Sequence, residues 1–152
     1  MRKKVLRWIL PGLLVLALDR IVKIYCGSMN LTLIPGVIAL RSTRNTGMAL
    51  GLMQDNALLI LICSVALVGL CAWLMRDMRP RGLAPAAISM MAGGALGNMI
   101  DRLALGYVVD MFELLFIDFY IFNVADVGVV CGAILCGLSL LFRPQDWSRR
   151  SK

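Results

Sequence analysis

Four long apolar stretches dominate the pattern of hydrophobic and polar positions along the chain: Trp8 to Tyr25, Ala57 to Met75, Leu83 to Ile100 and Val124 to Phe142. A bilayer core of about 30 Å takes about 20 apolar residues in a helix, so each stretch predicts a membrane-spanning helix. Four spans put both ends of the chain on one side, joined by a short connection over 76–82 and two long ones over 26–56 and 101–123. The long connections exceed the roughly 12 to 15 residues usual for structureless loops, and they are themselves patterned. Leu31 to Leu40 is apolar on both sides of Pro35-Gly36, which predicts two short strands around a turn. Tyr107 to Asp110 and Phe116 to Phe122 have the same strand-like character. The expected fold is therefore a mainly α membrane protein: one integral domain over 1–152, with four transmembrane helices and a small strand-rich element at the outer interface. Propensity alone leaves a pair of interfacial helices open in place of the sheet.

Composition agrees. Of the 152 residues, 60% are hydrophobic and 16% charged, well to the apolar side of an ordinary soluble protein. The net charge of +7 comes from 16 basic and 9 acidic residues, and its distribution supplies an orientation. Eleven basic residues precede span one, lie between spans two and three, or follow span four, facing only Asp77 and Asp146, a local balance of +9. The remainder of the chain carries −2. By the positive-inside rule both termini and the short connection are cytoplasmic and the long connections are outside. Basic residues clustered this way do not line one polar helix face, so nucleic acid is not an expected partner. A basic start followed by Trp8 to Leu18 also fits a secretory signal peptide. The stretch continues through Asp19, Arg20 and Lys23 without an A-x-A-like cleavage site, so a retained anchor is expected.

The polar residues that interrupt this pattern are the candidates for chemistry. With no histidine in the sequence, zinc sites of the HExxH type, Ser-His-Asp triads and Cys-His pairs are excluded. The five cysteines show no C-x-x-C spacing, and four lie in apolar runs where they serve as small hydrophobes. Asp19 and Lys23, at i and i+4 in the outer half of span one, suit an internal ion pair with Lys23 snorkelling outward. Asn98, Asp101 and Arg102 cluster at the outer end of span three, and Arg44-Asn45-Thr46-Gly47 reads as a turn before span two. Gly93/Gly97 and Gly128/Gly132 have the spacing that lets spans three and four approach closely in lipid. Asp110 could guard a sheet edge, and Asn123 with Asp126 could cap span four. The two acids can also converge if the connection between them folds back. Two carboxylates held together near lipid cannot both ionise easily, so one keeps a proton while the other acts as base. From the residues alone three readings stay open: an aspartyl peptidase; a small multi-pass proton- or ion-coupled transporter relaying through Asp19, Lys23, Asp101, Asp110 and Asp126; and a noncatalytic assembly factor docking through its glycine faces.

Four blocks, in order and spacing, resemble the bacterial lipoprotein signal peptidase family, also called signal peptidase II. They are Asp19-Arg-Ile-Val-Lys23, Arg44-Asn-Thr-Gly-Met-Ala-Leu-Gly51, Gly93 to Arg102 with Gly106-Tyr-Val-Val-Asp110, and Phe122-Asn-Val-Ala-Asp126. The resemblance covers essentially the whole chain. Leu50 and Met111 depart from it, standing where the family usually has phenylalanine. It implies an intramembrane aspartyl endopeptidase of the bacterial cytoplasmic membrane, active near the extracytoplasmic face. Such an enzyme cuts prolipoproteins on the N-terminal side of a diacylglyceryl-modified cysteine. Asp110 and Asp126 match the catalytic pair. Asn45, Gly47, Asn98, Arg102 and Asn123 match residues around the active site, and Asp19, Lys23 and Asp101 match the supporting network. The partners implied are the lipid-modified substrates and membrane lipid. No metal or organic cofactor is implied, and a monomer suffices.

Overall fold

The four apolar stretches form four α-helices: α1 (Arg2–Cys26), α2 (Ala57–Asp77), α3 (Ala84–Leu105) and α4 (Val124–Phe142). The computed structural model describes residues 2–47, 56–77 and 80–147; Leu50 and the basic residues Arg79, Arg149, Arg150 and Lys152 lie outside them. Two helices, over Leu58–Arg76 and Val124–Phe142, are by length and composition apolar enough to cross a membrane. The other two are similarly long but carry Asp19, Arg20 and Lys23 on α1, and Asp101 and Arg102 on α3. Leucine, isoleucine and valine side chains point outward on α1, α2 and α4, among them Leu14, Leu18, Ile62, Val65, Ile134 and Leu138. An apolar surface of this extent is unsuited to water and suited to lipid.

The third helix is the hub, packing against α1, α2 and α4. Its glycines serve two neighbours, where the sequence suggested one. A Cβ on Gly93 would stand 2.2 Å from the Gly12 carbonyl oxygen of α1, and one on Gly94 would stand 2.2 Å from the Ala125 carbonyl oxygen of α4. On the far side, Gly128 faces Val15 of α1 and Gly132 faces α3. Contacts this close between backbones, which lack a hydrophobic drive in lipid, hold the bundle through dispersion. The α3 helix also runs past Ile100 to Leu105, so Asp101 and Arg102 stand on its last turns and not in the outer connection as expected. It stops at Gly106, whose φ of 82° is left-handed and whose N–H closes back on the Arg102 carbonyl, the usual glycine stop.

The outer connections build a three-stranded antiparallel sheet in the order β1 (Asn30–Ile34), β2 (Ile38–Asn45) and β3 (Val108–Leu114). The Pro35-Gly36 turn joins the first two as expected, and Ile34 pairs with Ile38 across it. The sheet, and not the pair of interfacial helices, is therefore what forms. The strand expected over Phe116 to Phe122 is absent. Only Phe122 bridges to β3, at Phe112, while Phe119 stacks on Tyr120 with ring centroids 4.1 Å apart. Ring packing, not ladder pairing, uses the aromatic residues of this segment.

Candidate active site

Asp110 occupies the middle of β3, opposite Thr43 of β2. The β2–β3 register shifts between Leu40 and Thr43, and such a bulge re-aims the residues that follow it. Asn45, two residues beyond Thr43, shares its face, and its Nδ2 donates to Asp110 Oδ2 at 2.8 Å. Asn123 Nδ2 donates to the other oxygen at 2.5 Å. The carboxyl is 1% exposed. Burial pushes its pKa up, the Asn45 amide draws it down, and the nearby Asp126 charge pushes it up again, moving it from 3.8 to about 6.

Asp126 is placed by the start of α4. Asn123 is the N-cap: its Oδ1 accepts from the Asp126 N–H at 2.9 Å, and its own N–H donates to Asp126 Oδ2 at 3.1 Å. This reciprocal capping box satisfies two helix-end donors at once and holds the Asp126 side chain over the helix terminus. Asp126 Oδ1 receives Asn98 Nδ2 at 2.7 Å. Capping and proximity to Asp110 are thus one arrangement, because the fully buried Asn123 touches both acids.

Behind the acids lies a network of four charged side chains. Lys23 Nζ reaches Asp19 Oδ2 at 3.0 Å, Asp101 Oδ2 at 2.7 Å and Asn98 Oδ1 at 3.2 Å. Its side chain is 5% exposed, so it turns inward; the expected outward snorkel does not occur, because Asp19 of its own helix and Asp101 of α3 both pair with the ammonium. Arg20 pairs with both Asp19 and Asp101 and donates to the Gly97 carbonyl at 3.0 Å. Two acids and two bases balance, which makes burying them tolerable. The network also locks elements together. Asp19 Oδ1 accepts from the Ala125 N–H at 3.0 Å, tying α1 to the first turn of α4. Asp101 Oδ2 accepts from the Val109 N–H at 3.2 Å, tying α3 to β3.

Asn45, Asn98, Arg102, Asp110 and Asp126 line one cavity of about 220 Å³. Its polar end meets an apolar wall of Ile60, Cys63 and Leu67 from α2 and Val129 and Val130 from α4. A second opening, bordered by Thr43, Arg44, Asn45 and Gly47, shares Asp110 and Tyr120 with the first. Arg102 donates to the Gly47 carbonyl at 3.0 Å, and the Gly47 N–H donates to Asn45 Oδ1 at 2.9 Å. The turn expected at 44–47 does not span those residues: Arg44 and Asn45 end β2, paired with Val109 and Val108, and this pairing presents Asn45 to Asp110. The ten residues matched to the family's site therefore gather here: Asn123, Gly47 and Lys23 each touch a cavity residue, and Asp19 and Asp101 reach it through Lys23. Arg20 is the addition: its position beside Asp19 flagged it as a polar interruption, but nothing in the spacing showed that it would bridge α1 to α3. All five cysteines are free.

A mainly helical protein with a lipid-suited surface, gathering one buried and one half-buried carboxylate at one end of its bundle around the polar end of a single cavity, has the parts of a hydrolase working at a membrane. The chain belongs to the signal peptidase II family: the family described as "Signal peptidase (SPase) II" matches residues 12–142. It is 37% identical over 145 residues to the lipoprotein signal peptidase of Latilactobacillus sakei subsp. sakei, covering 91% of this chain and 95% of that protein. It is 35% identical to the lipoprotein signal peptidase of Streptococcus pneumoniae, covering 85% and 88%. A bacterial membrane enzyme solved by the in meso method at 2.3 Å resolution has a TM-score of 0.83 and 28% identity, covering 96% of this chain and 94% of that one. Another, solved by the same method at 1.9 Å, has a TM-score of 0.78 and 30% identity, covering 90% and 94%. The two named relatives are lipoprotein signal peptidases and the two solved structures are membrane enzymes; the ion-coupled transporter reading finds no support among them.

Proposed function

We propose that this chain is an aspartyl endopeptidase that removes signal peptides from prolipoproteins within the membrane, cutting before a diacylglyceryl-modified cysteine, with Asp110 and Asp126 as the catalytic pair. The observation that carries the reading is the buried Asn123 between the two acids that line one cavity: its Nδ2 donates to Asp110 Oδ1 and its backbone N–H donates to Asp126 Oδ2. Four spans of one domain and a sheet at the outer interface complete it, with both termini in the cytoplasm. Substrate acyl chains stay in the lipid, and the cavity wall between α2 and α4 is apolar enough to accept the adjoining signal helix. The scissile peptide then meets the polar end.

A water between the carboxyl groups is deprotonated by the ionised member as it attacks the peptide carbonyl. The protonated member donates to the carbonyl oxygen, giving a gem-diol. Return of a proton to the amide nitrogen releases the two products. An interacting pair titrates as a unit, and both acids here receive an amide or backbone donor on each oxygen, so acid and base roles belong to the pair. Asn45, Asn98 and Asn123 fix the carboxylate planes, Arg102 and Gly47 fix Asn45, and Asp19, Lys23 and Asp101 hold the elements that carry them.

The test incubates protein in detergent with a diacylglyceryl-modified prolipoprotein peptide. Asp110→Asn and Asp126→Asn should each bind the peptide and cleave it at least about 100-fold more slowly than wild type, since each removes a general acid or base. Near-normal turnover by either variant rejects the pair.

A further inference from the structure

A primary amide has two ends of nearly the same shape, one donating and one accepting, so a side chain such as Asn98 needs a neighbour that tells them apart. Around Asn98 three groups compete. Asp126 Oδ1 lies 2.7 Å from Nδ2, Asn123 Nδ2 lies 3.1 Å from Oδ1, and Lys23 Nζ lies 3.2 Å from Oδ1. An ammonium has no lone pair and can only donate. In the opposite orientation the amide oxygen would face the Asp126 carboxylate, while its NH2 would face the Lys23 ammonium and the NH2 of Asn123. All three contacts would then pair like with like.

Lys23 is the charged member of the three and acts on Asn98 directly: Asn123, whose own amide is held by the Asp126 N–H on its Oδ1, adds a second donor on the same side, while a carboxyl can gain a proton to donate. Its other two hydrogen bonds are spent on Asp19 and Asp101, and at 5% exposure water cannot take its place. We propose that Lys23 is a positioning residue whose ammonium fixes which end of the Asn98 amide faces Asp126, and so keeps a donor on one carboxylate of the pair. This rests on the peptidase reading for its consequence in turnover, though not for the orientation itself.

Two readouts test it. In protein labelled with ¹⁵N-asparagine, the Asn98 side-chain NH2 resonance, assigned through Asn98→Ala, should shift or split in Lys23→Met and stay near its wild-type position in Lys23→Gln, which keeps a donor. In the cleavage assay Lys23→Met should lower kcat by about 10- to 100-fold, the range seen when a group that orients a functional side chain is lost. KM should move by no more than about twofold, and Lys23→Gln should recover most of the loss. In an Asn98→Ala background Lys23→Met should cost little more. An unmoved Asn98 resonance in Lys23→Met, or an undiminished loss of kcat in the Asn98→Ala background, overturns the proposal. Should Lys23→Met fail to fold, Lys23→Gln decides alone: a displaced Asn98 resonance with kcat as low as in Asn98→Ala overturns it, and values near wild type uphold it. If wild-type protein cleaved no prolipoprotein peptide, the resonance would still decide the orientation, and only the peptidase reading would fall.

Discussion

The proposed mechanism asks two opposed things of Asp110, to sit where water is scarce and to exchange a proton. Its pKa of about 6 has a stability consequence with a definite sign. The unfolded chain releases this proton near 3.8 and the folded chain only near 6, so between those values the native state holds more proton than the unfolded one. Native stability from this group is complete below about pH 4 and is lost as pH rises through about 6. A carboxyl C=O band followed by infrared spectroscopy should therefore titrate with a midpoint near 6 in wild type and vanish in Asp110→Asn. In Asp126→Asn the midpoint should fall, because the Asp126 charge is among the causes that raise it. An unchanged midpoint in that variant would mean the two acids do not sense each other. The residues of this site were legible as types, since a carboxylate or amide in an apolar chain costs too much to lack a role. Two local partnerships were legible as well, the Asp19–Lys23 pair and the Asn123–Asp126 cap; the long-range ones were not. Asp110 and Asp126 converge only because β3 is followed by a chain reversal that brings Asn123 beneath it, and that path leaves no mark in spacing.

Helix ends and helix contacts, more than sheet pairing, set the position of the second acid. Asp126 stands in the first turn of α4, and that turn is pinned from two sides: Asp19 accepts the Ala125 N–H, and the Ala125 carbonyl abuts Gly94. Gly94→Ala should push α4 away from α3, because a Cβ there would stand 2.2 Å from a backbone oxygen that has no flexible end to swing aside. Overpacking of this kind costs about 1 to 3 kcal/mol. The expected result is a lower melting temperature in detergent together with a larger fall in kcat than in substrate affinity, as Asn98 and Asp126 are drawn apart. Gly69, with nothing near its Cβ position, is the control, and Gly69→Ala should melt and cleave like wild type. Equal effects at the two positions would show that the close approach carries no special weight. Element positions were the most legible feature of the chain, since long apolar runs admit little besides helices. The end of α3 was misjudged because Asp101 and Arg102 look like residues leaving lipid, when they are instead satisfied by Arg20, Lys23 and Gly47. The strand expected at Phe116 to Phe122 failed for the converse reason: aromatic propensity is met equally well by ring stacking.

At the scale of the whole molecule, the charge distribution and the site have to agree about which way the chain faces. The acids, the amides and the sheet lie at one end of the helix bundle, while Arg81, Arg143 and the Pro144–Asp146 turn lie at the other, where the Arg81 N–H donates to the Asp146 carbonyl at 2.8 Å. In the orientation proposed above, the basic residues concentrated at that end lie in the cytoplasm, and the site faces the side to which the proposed substrates are exported. A peptidase inserted the other way would meet its substrates with the pair on the wrong side, so orientation is as necessary to activity as the acids themselves. In a variant whose five cysteines are replaced by alanine, a single Thr32→Cys on exposed β1 should react with a membrane-impermeant maleimide applied to intact cells. Gln145→Cys, exposed at the opposite end, should react only after the membrane is permeabilised. Labelling of Gln145→Cys from outside would reverse the orientation, and labelling of both positions from outside would mean that the number of crossings between them is even and not odd. Either result would detach the acid pair from the compartment that the charge pattern assigns to it.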